Sequence, residues 1–89
     1  MIMFETYKVV AKFELSGRGA VVVIDEITDR VPGRPYNIQV TGVNGKLLFA
    51  EAFKEWVLYR QPNPIEKESY TLNGLHKEEI SDDADLSFV

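Results

Sequence analysis

The chain has 89 residues, no cysteine, and 14 acidic against 10 basic side chains, for a net charge of −4. Without cysteine there is no disulfide and no thiolate–metal site, so apolar packing must stabilise a domain of modest size. The acidic balance also runs against the Lys/Arg excess that phosphate contacts require.

The imbalance is local: residues 1–64 carry a net charge of +1 and residues 65–89 one of −5. Met1-Ile2-Met3-Phe4 is apolar but stops at Glu5, too short for a signal-peptide core, and nothing approaches the ~20 apolar residues of a membrane span. Absent cysteines suit a reducing compartment. The expectation is a single domain over residues 1–89, cytoplasmic and independent of membranes. Phe4, Phe13, Phe49, Phe53, Trp56 and Phe88 are expected to supply the bulk of its core.

Thr6 to Leu15 alternates, with Val9, Ala11, Phe13 and Leu15 on one face and Lys8, Lys12 and Glu14 on the other; Val10 is the exception. This pattern predicts a half-buried antiparallel strand. Gly17-Arg18-Gly19 follows as a tight turn, its glycines free to adopt φ > 0, and Ala20 to Ile24 is predicted as a second, well-buried strand. Asp25 to Pro35 holds two prolines, a glycine and five charges and reads as a loop. Tyr36 to Thr41 alternates again, and Val43-Asn44-Gly45-Lys46 reads as a hairpin turn of the primed type.

Lys46 to Arg60 supports two readings. Glu51, Lys54 and Glu55 oppose Phe49, Ala52, Phe53 and Trp56 at helical spacing. The Asn-Gly turn, however, calls for a returning strand, and Trp56-Val57-Leu58-Tyr59 favours extension; the extended reading is preferred. Gln61-Pro62-Asn63-Pro64 ends the segment. Ser69 to Leu75 is a further strand, His76 to Asp83 a polar turn with room for one helical turn, and Asp85 to Val89 a closing strand. Six short strands with turn signals between them predict an all-β fold, a small closed and mostly antiparallel barrel.

Few residues carry chemistry. His76, the only histidine, lies in a polar turn with no nucleophile pattern beside it and reads as a surface residue. Asp82, Asp83 and Asp85 lack the glycine and distal glutamate of a calcium loop. The adjacent acids Asp25-Glu26, Glu78-Glu79 and Asp82-Asp83 fall in loops and form no acid/base couple. No catalytic residue, metal or cofactor is expected. Arg18, Arg30 and Arg34 are the most suggestive cations, all in loops, and with Trp56, Tyr59 and Arg60 they offer aromatic and guanidinium surfaces to RNA or protein.

Ser16-Gly17-Arg18-Gly19-Ala20-Val21-Val22 resembles the opening hairpin of domain II of elongation factor Tu and related translational GTPases. Asp29-Arg30-Val31-Pro32-Gly33 is similar to that family's loop before its third strand. Tyr70-Thr71-Leu72-Asn73-Gly74-Leu75 resembles its Leu-Leu-Arg-Gly-Val strand, and His76-Lys77-Glu78-Glu79-Ile80 its Ser-Arg-Glu-Glu-Val-like turn. Where the family usually has glycine after the second strand and before the last, this chain has Ile24 and Asp82-Asp83-Ala84. The resemblance covers about Val9 to Phe88. It implies a six-stranded barrel that, in the full factors, packs on the GTPase domain and contacts tRNA or ribosomal RNA. No Gly-x-x-x-x-Gly-Lys-Ser/Thr loop is present, so no GTP is expected. The sequence therefore leads to a non-enzymatic binding module. A basic protein partner, steered by Glu78, Glu79, Asp82 and Asp83, is the first expectation, and translation-associated RNA is the alternative.

Overall fold

The structure, a computed structural model, describes residues 5–26, 28–55 and 67–89. Six strands close into a barrel: β1 (Glu5–Leu15), β2 (Gly19–Ile24), β3 (Pro35–Thr41), β4 (Leu47–Lys54), β5 (Glu68–Asn73) and β6 (Asp85–Phe88). Their order around the ring is β1-β2-β5-β4-β3-β6, and every neighbouring pair is antiparallel. Closure abolishes most of the edge that an open sheet of this size would expose.

Alternation decides what enters the ring. Ala20, Val22 and Ile24 of β2, Tyr70 and Leu72 of β5, Ala52 of β4, Ile38 and Val40 of β3, and Leu86 and Phe88 of β6 form one buried cluster with Val9. Each fully buried aliphatic side chain contributes about 1.5–3 kcal/mol. The interior is therefore aliphatic, with Tyr70 and Phe88 as its large rings.

Three of the expected aromatic core residues, Phe13, Phe49 and Phe53, lie outside it. Phe13 is 55% and Phe49 68% exposed. On β4 the inward parity belongs to Leu48, Ala50 and Ala52, opposite Val40, Ile38 and Tyr36, which leaves Phe49 and Phe53 on the outer face. On β1 the cause is a β-bulge. Val9 lies opposite Ile24 but Ala11 opposite Val23, so Val10 is an extra residue and the strand changes face there. Beyond it, Lys12 and Glu14 stand opposite the buried Val22 and Ala20, while Phe13 and Leu15 turn out. Phe4 and Trp56 lie outside the described residues.

Lys46 to Arg60 is extended through Lys54, as preferred, and the helical alternative is excluded over that part; residues 56–60 lie outside the described residues. At the Asn-Gly turn both Asn44 (φ 65°) and Gly45 (φ 77°) are left-handed, as the signal requires. The loop is nonetheless three residues long, closed by a bond from the Gly42 N–H to the Lys46 carbonyl. His76 to Asp83 contains a single 3-10 turn, Lys77–Glu79.

Register places the functional elements at two ends. Leu15 to Gly19, Asn73 and the β3–β4 turn lie at one, here the upper end. Glu5, the β2–β3 loop, Lys54, Glu68 and Phe88 lie at the other, the lower end.

Candidate functional site

The lower mouth is closed by the loop between β2 and β3, and the loop is held by a buried carboxylate. Glu68 shares the inward parity of Tyr70 and Leu72, and its side chain is 2% exposed. A charge there is tolerable only if fully paired. Its oxygens accept from the Thr28 N–H (2.7 Å), the Thr28 hydroxyl (2.8 Å) and the Tyr70 hydroxyl (3.0 Å), and Lys54 Nζ stands 3.3 Å away. Lys54 also donates to the Arg30 carbonyl at 2.7 Å, so one ammonium ties β4 to the loop. Burial, followed by the Glu68 carboxylate, pushes the Tyr70 hydroxyl pKa up to about 12, so Tyr70 remains a donor across the physiological range.

Beside this network, the Arg30 guanidinium lies over Phe88, 3.6 Å from the ring centroid, with Tyr7 at 5.7 Å and Tyr36 at 5.9 Å. The three tyrosines Tyr7, Tyr36 and Tyr70 meet Phe88 edge-on, at interplanar angles of 76°, 84° and 63°. Arg30 therefore covers a face of the Phe88 ring, whose edges the tyrosines meet. Its outer nitrogen donates to Glu5 at 2.5 Å, and the Tyr7 hydroxyl donates to the same oxygen at 2.8 Å. These bonds, Arg30 first, hold the Glu5 carboxyl below its usual range.

Outside the cage is an open cleft of about 490 Å³, walled by Tyr7 and Tyr36; among the described residues that line it, it bears the carboxylates of Glu5, Glu26 and Asp29 and the guanidinium of Arg30. The described lining residues, three carboxylates and one guanidinium, sum to a formal charge of −2.

At the upper end, residues 75–84 cross the mouth and insert Leu75, Ile80 and Ala84 into the core. The inverted half of β1 holds this plug. Lys12 donates to the Ile80 carbonyl and stands 3.1 Å from Asp82. Glu14 accepts from the Lys77 N–H (2.7 Å) and bonds His76 Nδ1 (3.0 Å), while Glu79 accepts from the His76 N–H at 2.7 Å. Of the four acids singled out in the sequence, Glu79 and Asp82 thus fasten the plug. Glu78 and Asp83 carry exposed carboxylates with no ion pair among the described residues.

Arg18 sits at the tip of the β1–β2 hairpin, 65% exposed, with a guanidinium nitrogen 3.6 Å from Glu55; Glu55 in turn accepts from Thr71. A groove of about 360 Å³ runs beside it between Gly17, Phe53 and Asn73. Gly19 is confined by close approach, since a Cβ there would meet the Leu72 carbonyl at 2.8 Å and the Leu75 carbonyl at 3.0 Å.

The three loop arginines do not converge. Arg18 is at the upper end, Arg30 and Arg34 at the lower, and Arg30 is only 15% exposed. Trp56, Tyr59 and Arg60 lie outside the described residues. Sequence reasoning gives no site role to Glu5, Tyr7, Glu26, Asp29, Tyr36, Lys54 or Glu68. Only Glu68 carried a signal, because alternation with Tyr70 and Leu72 puts a carboxylate on an apolar face. Among the described residues, no group of three His, Asp or Glu side chains could hold a metal ion, and no helix is long and apolar enough to cross a membrane. Comparison of the chain with protein-family models, with curated proteins and with solved structures gives no match.

Proposed function

We propose that the chain is a non-enzymatic binding module that docks a basic segment of a protein partner in its lower-end cleft. The observation that carries this reading is the charge and wall chemistry of that cleft. Two tyrosine rings and an excess of carboxylates favour a lysine or arginine side chain, and Arg30 on Phe88 is this chain's own example of the same recognition. The barrel interior is filled by side chains, and every buried side-chain polar atom among the described residues has a hydrogen-bond partner. These groups are committed to structure, which supports binding rather than catalysis.

Titration with oligolysine and oligoarginine peptides, followed by amide shifts, tests the reading. Shifts should centre on Tyr7, Glu26, Asp29 and Tyr36, weaken with added salt, and require at least tenfold more peptide in an E26K/D29K variant. Reversal of Glu78 and Asp83 should matter less. Unchanged affinity in E26K/D29K would overturn the assignment.

The RNA alternative is supported by Arg18, a largely exposed guanidinium beside an open groove at Asn73 and Gly74. It requires retention of tRNA or ribosomal RNA fragments at low salt, where phosphate contacts are strongest, and a loss on substitution of Arg18 and Arg34. Kinship with domain II of the translational GTPases is part of that alternative and rests on the four sequence segments that resemble it.

A further inference from the structure

We propose that the upper half of β4 is the pairing edge of a symmetric dimer of this chain. The inference is independent of the lower-end cleft. β4 pairs with β5 only between Glu51 and Lys54, because β5 ends at Asn73. At Gly74 (φ 85°) the chain turns away and crosses to β2, where the Ala20 N–H bonds the Leu75 carbonyl. Leu47, Leu48, Phe49 and Ala50 therefore have β3 on one side and no described strand on the other.

Ladder polarity shows which backbone groups this leaves over. The Val89 N–H bonds the Asn37 carbonyl and the Ser81 N–H the Thr41 carbonyl, so the odd residues of β3 point their polar groups away from β4. Ile38 and Val40 then bond β4 through their partners Ala50 and Leu48. The Glu55 N–H bonds the Ser69 carbonyl, which gives the odd residues of β4 to the β5 side. Leu47 and Phe49 share that parity, so each aims an N–H and a C=O at the side where no described strand lies. No backbone bond among the described residues takes them up.

Such an edge is normally blunted by charge, proline or a bulge. Leu47-Leu48-Phe49-Ala50 has neither charge nor proline, and its pairing with β3 is continuous. Its outward side chains are also open, Leu47 at 55% and Phe49 at 68%.

The segment is complementary to itself in one register. Two copies joined antiparallel keep their outer faces aligned only if residues of equal parity oppose each other. An axis through Leu48 places Leu47 opposite Phe49 of the second copy, twice. The free N–H and C=O groups then meet as two hydrogen-bonded pairs, with Leu48 facing Leu48 between them. The next allowed axis, through Phe49, would set Leu47 opposite Glu51, whose backbone already serves Asn73. The segment therefore fits a second copy, since the contact closes on itself and places each Leu47 against a Phe49.

Sedimentation velocity from about ten micromolar to about one millimolar tests the proposal, with amide exchange of Leu47 and Phe49 read over the same range. A monomer–dimer equilibrium should appear, and both amides should gain protection as the dimer fills. Phe49→Pro removes an N–H that no bond among the described residues uses, so it should abolish the dimer while the far-ultraviolet spectrum stays that of the parent. Leu47→Lys, which does not touch the backbone, should weaken association at least tenfold and serves if the proline variant fails to fold. A wild-type chain that remains monomeric throughout overturns the proposal, as does a dimer that persists in a folded Leu47→Lys variant.

Discussion

Gly19→Ala tests the close approach that seats the β1–β2 hairpin on the rest of the barrel. Gly19 has φ 109°, and its added methyl would lie 2.8 Å from the Leu72 carbonyl oxygen and 3.0 Å from that of Leu75. Both acceptors belong to the segment whose bond to the Ala20 N–H, at 2.7 Å, anchors the crossing to β2. The positive φ alone costs about 1–3 kcal/mol, and forcing a carbon against two backbone oxygens adds a comparable overpacking term. A loss of about 4 kcal/mol is expected, a large part of the stability of a domain this size. Gly17→Ala is the matched control. Its φ of 80° is also left-handed, but nothing lies within 4 Å of its added methyl. It should lose only about 1–2 kcal/mol. Urea unfolding of both variants, with m held common, gives the difference directly. Equal losses in the two would refute the close-approach argument, since strain in φ would then account for everything.

Two further outcomes are expected. Lys54→Met leaves the Glu68 carboxylate buried without its cation and unties the β2–β3 loop, so stability should fall by about 3 kcal/mol. The melting temperature should drop by roughly 15 °C, and adding Glu68→Gln, which keeps an acceptor for Thr28 and Tyr70 without the charge, should recover part of that; a Lys54→Met loss within about 1 kcal/mol of zero would contradict the burial argument. The Glu14 hydrogen bond raises the His76 pKa, so His76 supports the plug fully below the unfolded value of about 6.5 and loses that support as pH rises through its folded value. Glu14 is shifted the other way, by its bonds to the Lys77 N–H and then to His76, and its support fades as pH falls through its folded value. Imidazole proton titration should therefore show His76 above the ordinary range in the parent and near it in Glu14→Gln; an unmoved titration would rule out the pairing.

Strand existence and order of hydrophobic faces were legible wherever alternation ran unbroken. Ala20 to Ile24, Tyr36 to Thr41 and the Asn44-Gly45 turn stand where pattern and turn chemistry put them. Phe13 and Leu15 were misplaced because a bulge shifts phase without leaving a residue type that marks it; Val10, β-branched and apolar, breaks the pattern in a way that also reads as ordinary strand. The candidate site was far less legible. Glu5, Glu26 and Asp29 are scattered over a strand end and a loop and meet only because the ring closes, and Lys54 looks like any surface lysine until its partner across the β4–β5 pair is known. Arg30 was singled out as a cation free to bind, yet its guanidinium is engaged by Phe88 and Glu5 of this same chain. Loop cations reveal their targets only through tertiary contact, which no local spacing encodes.

The extra residue at Val10 divides β1 into two strands with opposite rules written along one backbone. Below it, an apolar side chain at the inward parity adds to the core; above it, the same parity selects lysine and glutamate and sends phenylalanine to the surface. A hydrophobicity scan of homologous chains would score Lys12 and Glu14 as solvent positions and accept almost any polar replacement there, although each has a fixed backbone target across the mouth. Removing Val10 by a one-residue deletion would restore a uniform alternation that looks better on paper. It would also swing Lys12 and Glu14 outward, drive Phe13 and Leu15 into space already filled by Leu75 and Ile80, and leave residues 75–84 with nothing to moor them. In this chain a local irregularity lets a barrel of ordinary strands close its own lid.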